Sequence, residues 1–454
     1  MSRFHQALLA AKSAFIKPAF IKPAVTVTIA GVLTMSTVAS FAQVNRIDVI
    51  RPDAPSLAAY GDYDIGVRTL TLVDTGRVDV LNTPRGGEPV FYDRSLTVEV
   101  WYPAQLNGQA RGGQYEAITR NPAIIATLHG QAVRDAEADA SDGAFPLVVI
   151  SHGYPGNRYL MSHLGENLAS KGYVTVSIDH TDSTYDDAQA FTSTLYNRPL
   201  DQRFVIESMA QMAADSSSFL AGLLDANNTG VVGYSMGGYG LVNNLGGGYS
   251  DDIVGSFMAP PNELLGQHAS GNPEFRGNLD SRIKAGFAIA PWGMERGFWR
   301  EQDLAGIEVP TFYLAGDNDT VAGYEKGVRA IYEAAVNSDR YLLTYKNAGH
   351  NAGAPYPVPR ELIDSETGEG ASHYTDPVWD NVRMNNVMDH FATAYFDYLL
   401  KGDESMLEYL DVVPDGADAV YSMSGDQADE DHTYWPGFEA GSAIGLKLEK
   451  LSKR

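Results

Sequence analysis

The stretch Val231-Val-Gly-Tyr-Ser-Met-Gly-Gly238 constrains this chain more than any other. It fits G-x-S-x-G, placed between a short apolar run and a segment of helical character. A serine in that setting stands on a sharp strand-to-helix turn, with strained backbone angles and its Oγ raised at the C-terminal edge of a sheet. The residues two positions to either side must be tiny, because strand and helix pack closely there. Gly233 and Gly237 meet this demand, and Gly238 gives extra room.

The surrounding sequence supplies the sheet that such a turn needs. Residues 66–73 and 96–101 alternate apolar and polar, as half-buried antiparallel strands do. Residues 105–144 are rich in Gly, Ala and charge and read as a surface excursion. From Pro146 the character changes. Leu147-Val-Val-Ile150 is a continuous apolar run, a helical stretch covers 159–171, and Tyr173-Val-Thr-Val-Ser-Ile178 follows. Strand, helix, strand implies a right-handed crossover and a parallel sheet. A second helix is expected over 199–215, a short strand over 230–232 and a helix from 236. Strands are expected over 285–290, 311–315 and 341–345, with a helix over 324–336 before the last of them. The final helix shows Met384, Val387, Met388, Phe391, Tyr395 and Leu399 on one face and ends at Gly402. Residues 246–280 and 353–380 break the alternation and read as insertions. The acidic tail from Asp411 is expected to pack irregularly over the core. The expected fold class is thus α/β, with a mostly parallel central sheet flanked by helices and antiparallel strands at its N-terminal side. No domain linker appears, so residues 43–454 are expected to form one domain.

Composition narrows the partners. The chain has 57 Asp and Glu against 33 Lys and Arg, for a net charge of −24. Such a surface repels phosphate backbones and anionic membranes, so a nucleic-acid partner is not expected. There is no cysteine, which excludes disulfides, thiolate zinc sites and a cysteine nucleophile. Residues 1–42 read as a signal peptide: Arg3, Lys12, Lys17 and Lys22 precede the apolar run 24–42, and Ser40-Phe-Ala42 offers a small-residue cleavage site. A periplasmic or secreted protein is expected, with no stable membrane insertion after cleavage. No metal-ligand spacing appears, and no cofactor is expected.

A serine hydroxyl needs a base to take its proton, and the base needs an acid to orient it. His350, in Lys346-Asn-Ala-Gly-His-Asn351, directly follows an apolar strand and can reach a serine at the same sheet edge. His268 and His373 fall in the insertions, His390 lies mid-helix and His432 in the tail, so these are weaker choices. The acid should follow a strand between Ser235 and His350, and Gly316-Asp-Asn-Asp-Thr320 offers Asp317 and Asp319. Asp319 is favoured because the longer loop lets it curl back toward His350, whereas Asp317 suits a turn cap. An anionic intermediate needs two N–H donors. Met236, at a helix N-terminus, is one. The other should come from Ser151-His-Gly-Tyr-Pro-Gly156, where Pro155 has no N–H and Tyr154 is best placed. His152 and His180 read as braces of that region. Trp292 follows a strand end on the same edge and could contact an acyl or aryl group.

These residues carry a resemblance. His152-Gly-Tyr-Pro-Gly156, Gly233-Tyr-Ser-Met-Gly-Gly238, the Gly316–Thr320 turn and Ala348-Gly-His350 resemble the α/β-hydrolase superfamily. Gly66-Val-Arg-Thr-Leu-Thr-Leu72 with Val98-Glu-Val-Trp-Tyr-Pro-Ala104 resembles the bacterial group related to platelet-activating-factor acetylhydrolases, whose members are often described as dienelactone hydrolases. The serine turn and the loop after Ile150 are also similar to those of polyester hydrolases and cutinases. The resemblance implies Ser235, Asp319 and His350 as a triad, Tyr154 and Met236 as oxyanion donors, and cleavage of a carboxylic ester. A serine peptidase or amidase would use the same residues, and a non-catalytic binding protein could keep the scaffold.

Overall fold

Apolar runs such as Leu147–Ile150 and Phe312–Ala315 are satisfied only when both faces are buried, and they form inner strands of one large sheet. In the computed structural model, which describes residues 44–454, this sheet has eleven strands. The long ones are β1 (Asp64–Val78), β2 (Phe91–Gln105), β3 (Phe145–Ser151), β4 (Val174–Asp179), β5 (Leu224–Tyr234), β6 (Ile283–Ile289), β7 (Thr311–Gly316), β8 (Arg340–Tyr345) and β9 (Leu446–Leu451). Their spatial order is β9-β8-β7-β6-β5-β3-β4-β2-β1. The pairings that join β4, β3, β5, β6, β7 and β8 are parallel. β2 pairs antiparallel with β1 and β4, and β9 antiparallel with β8, while β1 also pairs parallel with Val133–Arg134.

Four helices matter for the site: α1 (Ser162–Ala169), α2 (Phe191–Ala214), α3 (Met236–Asn244) and α4 (Asn381–Leu400). The predicted apolar face of α4 is buried except at Leu399, which is half-buried, and Phe391 and Tyr395 pack on Phe312 of β7. Asp380 caps this helix by accepting from the Arg383 N–H. Residues Gln43–Arg454 cluster as one compact unit. The proposed signal peptide lies outside the described residues. Among these, no helix is long and apolar enough to cross a membrane.

Three expectations need correction. Residues 105–144 are more than a surface excursion: Gln114–Ile118 and Ile125–His129 form an antiparallel pair, extended by Asn45–Arg46, and bury Tyr115, Ala117, Ala126 and Leu128. Helix α2 begins at Phe191, so Pro199 lies inside it and not at its start. Proline there leaves the Leu195 carbonyl without its helical donor, and the Tyr239 hydroxyl donates to it instead at 3.0 Å. The tail also contains β9, which pairs with β8 from Arg340↔Leu451 to Tyr345↔Leu446. The two insertions hold only short helices, among them Asp251–Val254 and Pro273–Gly277 in the first and Arg360–Ile363 in the second.

Candidate active site

Strand β5 ends at Tyr234 and α3 begins at Met236, so Ser235 alone makes the turn. Its φ of 53° and ψ of −109° lie in a region that non-glycine residues rarely adopt, at a cost of about 1–3 kcal/mol. Backbone hydrogen bonds hold it there. The Ser235 N–H donates to Ile289 O at 2.8 Å, and its carbonyl accepts from Tyr239 N at 2.9 Å and Trp292 N at 3.2 Å. The flanking glycines are required by contact. A Cβ on Gly237 would lie 1.9 Å from the Ser151 carbonyl oxygen, and one on Gly233 would lie 2.4 Å from the Gly237 oxygen.

His350 comes from the loop after β8 and Asp319 from the loop after β7. Both loops lie at the same C-terminal edge as Ser235, because β5 through β8 run parallel. His350 Nε2 stands 3.0 Å from Ser235 Oγ, and His350 Nδ1 stands 2.8 Å from Asp319 Oδ2. The second oxygen of Asp319 accepts from the N–H groups of Val321 at 2.7 Å and Ala322 at 3.0 Å. A carboxylate so fully engaged cannot rotate, and it fixes the proton of His350 on Nδ1. Nε2 is then left as an acceptor for the serine hydroxyl. Asp317 is exposed and accepts the Asn347 N–H at 2.5 Å, a turn contact away from the imidazole.

The loop after β3 abuts the serine: a Cβ on Gly153 would come within 3.3 Å of Ser235 Cβ. The N–H groups of Tyr154 and Met236 donate no hydrogen bond among the described residues. His152 and His180 are buried behind this loop. Burial and the Arg198 charge push both imidazoles well below the ordinary histidine value.

A cleft of about 740 Å³ opens over Ser235 and His350. Its walls include Tyr154 and Tyr234, and also Arg120, Asn351 and His373, which sequence reasoning did not single out for the site. Tyr234 donates from its hydroxyl to Asn351 Oδ1 at 3.1 Å, and Asn351 Nδ2 donates to the carbonyls of Ser372 and Thr375, each at 3.0 Å. The second insertion is thereby tied to the residue next to His350. Burial, reinforced by Asp319, pushes the Tyr234 phenol well above its ordinary value, so it stays protonated. The signal for Tyr234 and Asn351 was adjacency to Ser235 and His350, whereas nothing local marked Arg120 or His373. Trp292 does not line this cleft. It packs edge-on against Phe191 at 5.3 Å, and Phe191 against Tyr154 at 5.0 Å, making an aromatic row beside the serine turn.

Comparison with known proteins bears on the fold and on the class of reaction. Residues 105–246 match a family model described as PET hydrolase-like. Cutinase est1 of Thermobifida alba is 28% identical over 212 residues, which are 46% of this chain and 55% of that protein. The bis(hydroxyethyl) terephthalate hydrolase of Streptomyces coelicolor is 25% identical over 251 residues, 55% of this chain and 64% of that protein. The match thus spans between half and two thirds of these relatives' length. A solved ferulic acid esterase from Streptomyces cinnamoneus shares the fold, with a TM-score of 0.55 and 23% identity over 80% of this chain and 97% of that one. The family match covers the loop after β3 and the serine turn, while Asp319 and His350 lie beyond it. The chain has the α/β-hydrolase fold, and its residues 105–246 match the PET hydrolase-like family model.

Proposed function

We propose that this protein is an exported serine hydrolase of carboxylic esters, working through an acyl-enzyme. The observation that carries the reading is the chain of contacts from Ser235 Oγ to His350 Nε2 and from His350 Nδ1 to Asp319 Oδ2. In the first half-reaction Ser235 Oγ attacks the ester carbonyl carbon while His350 Nε2 takes its proton. Asp319 stabilises the imidazolium and is not itself protonated. The carbonyl oxygen becomes an oxyanion, held by the N–H groups of Tyr154 and Met236, with the N-terminus of α3 adding its dipole. His350 then gives its proton to the departing alkoxide oxygen, and the carbonyl–oxygen bond breaks. A water molecule, deprotonated by His350, attacks the acyl carbon and releases the acid and the free serine.

Support also comes from the relatives, whose names describe cutinases and a terephthalate-ester hydrolase. A cleft of about 740 Å³ suits a medium-sized ester. The row of Tyr154, Phe191 and Trp292 offers an apolar surface to an acyl or aryl group beside the serine. Export rests on the basic, then apolar, N-terminal sequence. The test is turnover of a short-chain p-nitrophenyl ester by the parent and by Ser235→Ala. The variant should lose turnover while its thermal unfolding is unchanged. Undiminished hydrolysis by Ser235→Ala would remove the mechanism, and faster cleavage of the matching anilide would move the reading to an amidase.

A further inference from the structure

Arg198, on α2, is 1% exposed and makes no salt bridge among the described residues. Its guanidinium donates to the carbonyls of His152 and Gly153 and to the Ser183 hydroxyl. The carboxylate in its neighbourhood, Asp201, is engaged by Arg94, Arg77 and His180. Burying a cation against uncharged oxygens is costly, and shape-filling does not require it. The two carbonyls belong to the loop that abuts Ser235.

The peptide between Gly153 and Tyr154 is the informative group. It is trans, so its C=O and N–H point in opposite directions. Its carbonyl is drawn inward by Arg198 Nη2 at 3.3 Å and lies 2.7 Å from His152 Nδ1. Its N–H must therefore face outward, on the loop whose Gly153 packs against Tyr234 and Ser235. The loop is pinned residue by residue behind this peptide. Ser151 Oγ lies 2.8 Å from His180 Nε2, His180 Nδ1 lies 2.9 Å from Asp201 Oδ2, and the His180 N–H donates to His152 Nε2 at 3.3 Å. A positive charge on the carbonyl side also polarises the amide and strengthens its N–H as a donor.

We propose that Arg198 is a positioning residue for the oxyanion hole, orienting and polarising the Gly153–Tyr154 peptide so that the Tyr154 N–H meets the developing oxyanion. This rests on the reading of Ser235 as the nucleophile. Arg198 touches neither substrate nor the reacting atoms, so its effect should appear in the transition state and not in ground-state binding.

The test compares the parent with Arg198→Lys and Arg198→Met on a p-nitrophenyl ester and on an alkyl trifluoromethyl ketone, which forms a tetrahedral adduct with a serine. Removing one oxyanion donor typically costs about 100- to 1,000-fold in kcat. Arg198→Met should approach the lower figure with KM nearly unchanged, and its affinity for the ketone should fall in parallel. Arg198→Lys, which keeps a charge but one point of donation, should recover part of the loss. A folded Arg198→Met with kcat and ketone affinity within about twofold of the parent would overturn the assignment. A measurement on the parent stands independently of whether the variants fold. In a crystal structure of the ketone adduct, the oxyanion should sit within hydrogen-bond reach of Tyr154 N with Gly153 O still on Arg198. An oxyanion held elsewhere, or a flipped peptide, would overturn the assignment as well. Failure of the ketone to attach to Ser235 would instead count against the proposed nucleophile.

Discussion

Asp319 and Asp317 stand two residues apart on one turn and serve different partners. Asp319 Oδ2 meets His350 Nδ1 at 2.8 Å, while Asp317 Oδ1 receives the Asn347 N–H at 2.5 Å. The buried position and the two backbone donors on the other oxygen of Asp319 make it the group that can hold an imidazole. Asp319→Asn should therefore lower kcat by about 10,000-fold, because the imidazole would adopt the wrong tautomer. Asp317→Ala should stay within a few-fold of the parent. Rates on a p-nitrophenyl ester check both, and the reverse ranking would reassign the acid.

The close approach at Gly237 makes a second prediction. A methyl group there would meet the Ser151 carbonyl at 1.9 Å, and both atoms sit on rigid elements. Gly237→Ala should destabilise the protein by about 3 kcal/mol and suppress turnover. Gly255 is the control: a Cβ there meets nothing within 4 Å, and its φ of −86° suits any residue. Gly255→Ala should leave the denaturant midpoint nearly unchanged.

Stability should fall below pH 6.5. His390 Nδ1 accepts the Leu57 N–H at 3.2 Å, and His268 Nε2 accepts from Arg203 at 3.0 Å. Neither nitrogen can accept once protonated. Burial, aided by Lys171 at His390 and by Arg203 at His268, pushes both imidazoles down to about 3. The unfolded chain binds these protons near pH 6.5 and the native one does not. The stability contribution is therefore complete above pH 6.5 and is lost as pH falls toward 3, at up to about 1.4 kcal/mol per pH unit for each histidine. Urea midpoints at pH 7.5, 5.5 and 4.5 should decline in that order, and a flat profile would contradict the assignment.

The aromatic row makes a prediction about selectivity. Phe191 bridges Tyr154 and Trp292. Loss of such a pair costs about 1 kcal/mol. Phe191→Ala should raise KM for a benzoyl ester about fivefold more than for an acetyl ester, as steady-state kinetics on the two would read directly. Equal changes would remove the row from substrate binding.

The parts of this molecule that were legible in sequence are those whose demands are local. Ser235 required small neighbours at fixed offsets, and His350 and Asp319 each followed an apolar run by a few residues. The same locality exposed the inner strands. What escaped depends on distant partners. Leu446–Leu451 alternates as an edge strand should, yet only β8, about a hundred residues earlier, makes it part of the sheet. Helix α2 hid its start because Pro199 reads as a boundary, and the compensating hydroxyl of Tyr239 lies on another helix. Arg120 and His373 lie far apart in sequence, and only the folded cleft brings them to one wall.

The link from Asn351 to the carbonyls of Ser372 and Thr375 has an evolutionary cost. The mouth of the cleft is fastened to the residue beside His350, so on the proposed mechanism breadth and speed cannot be adjusted separately at this end. A lineage that enlarged the mouth by redrawing residues 366–375 would have to rebuild that fastening in the same step. Diversification should therefore be easier at Thr320 and Val321, which line the cleft outside that fastening.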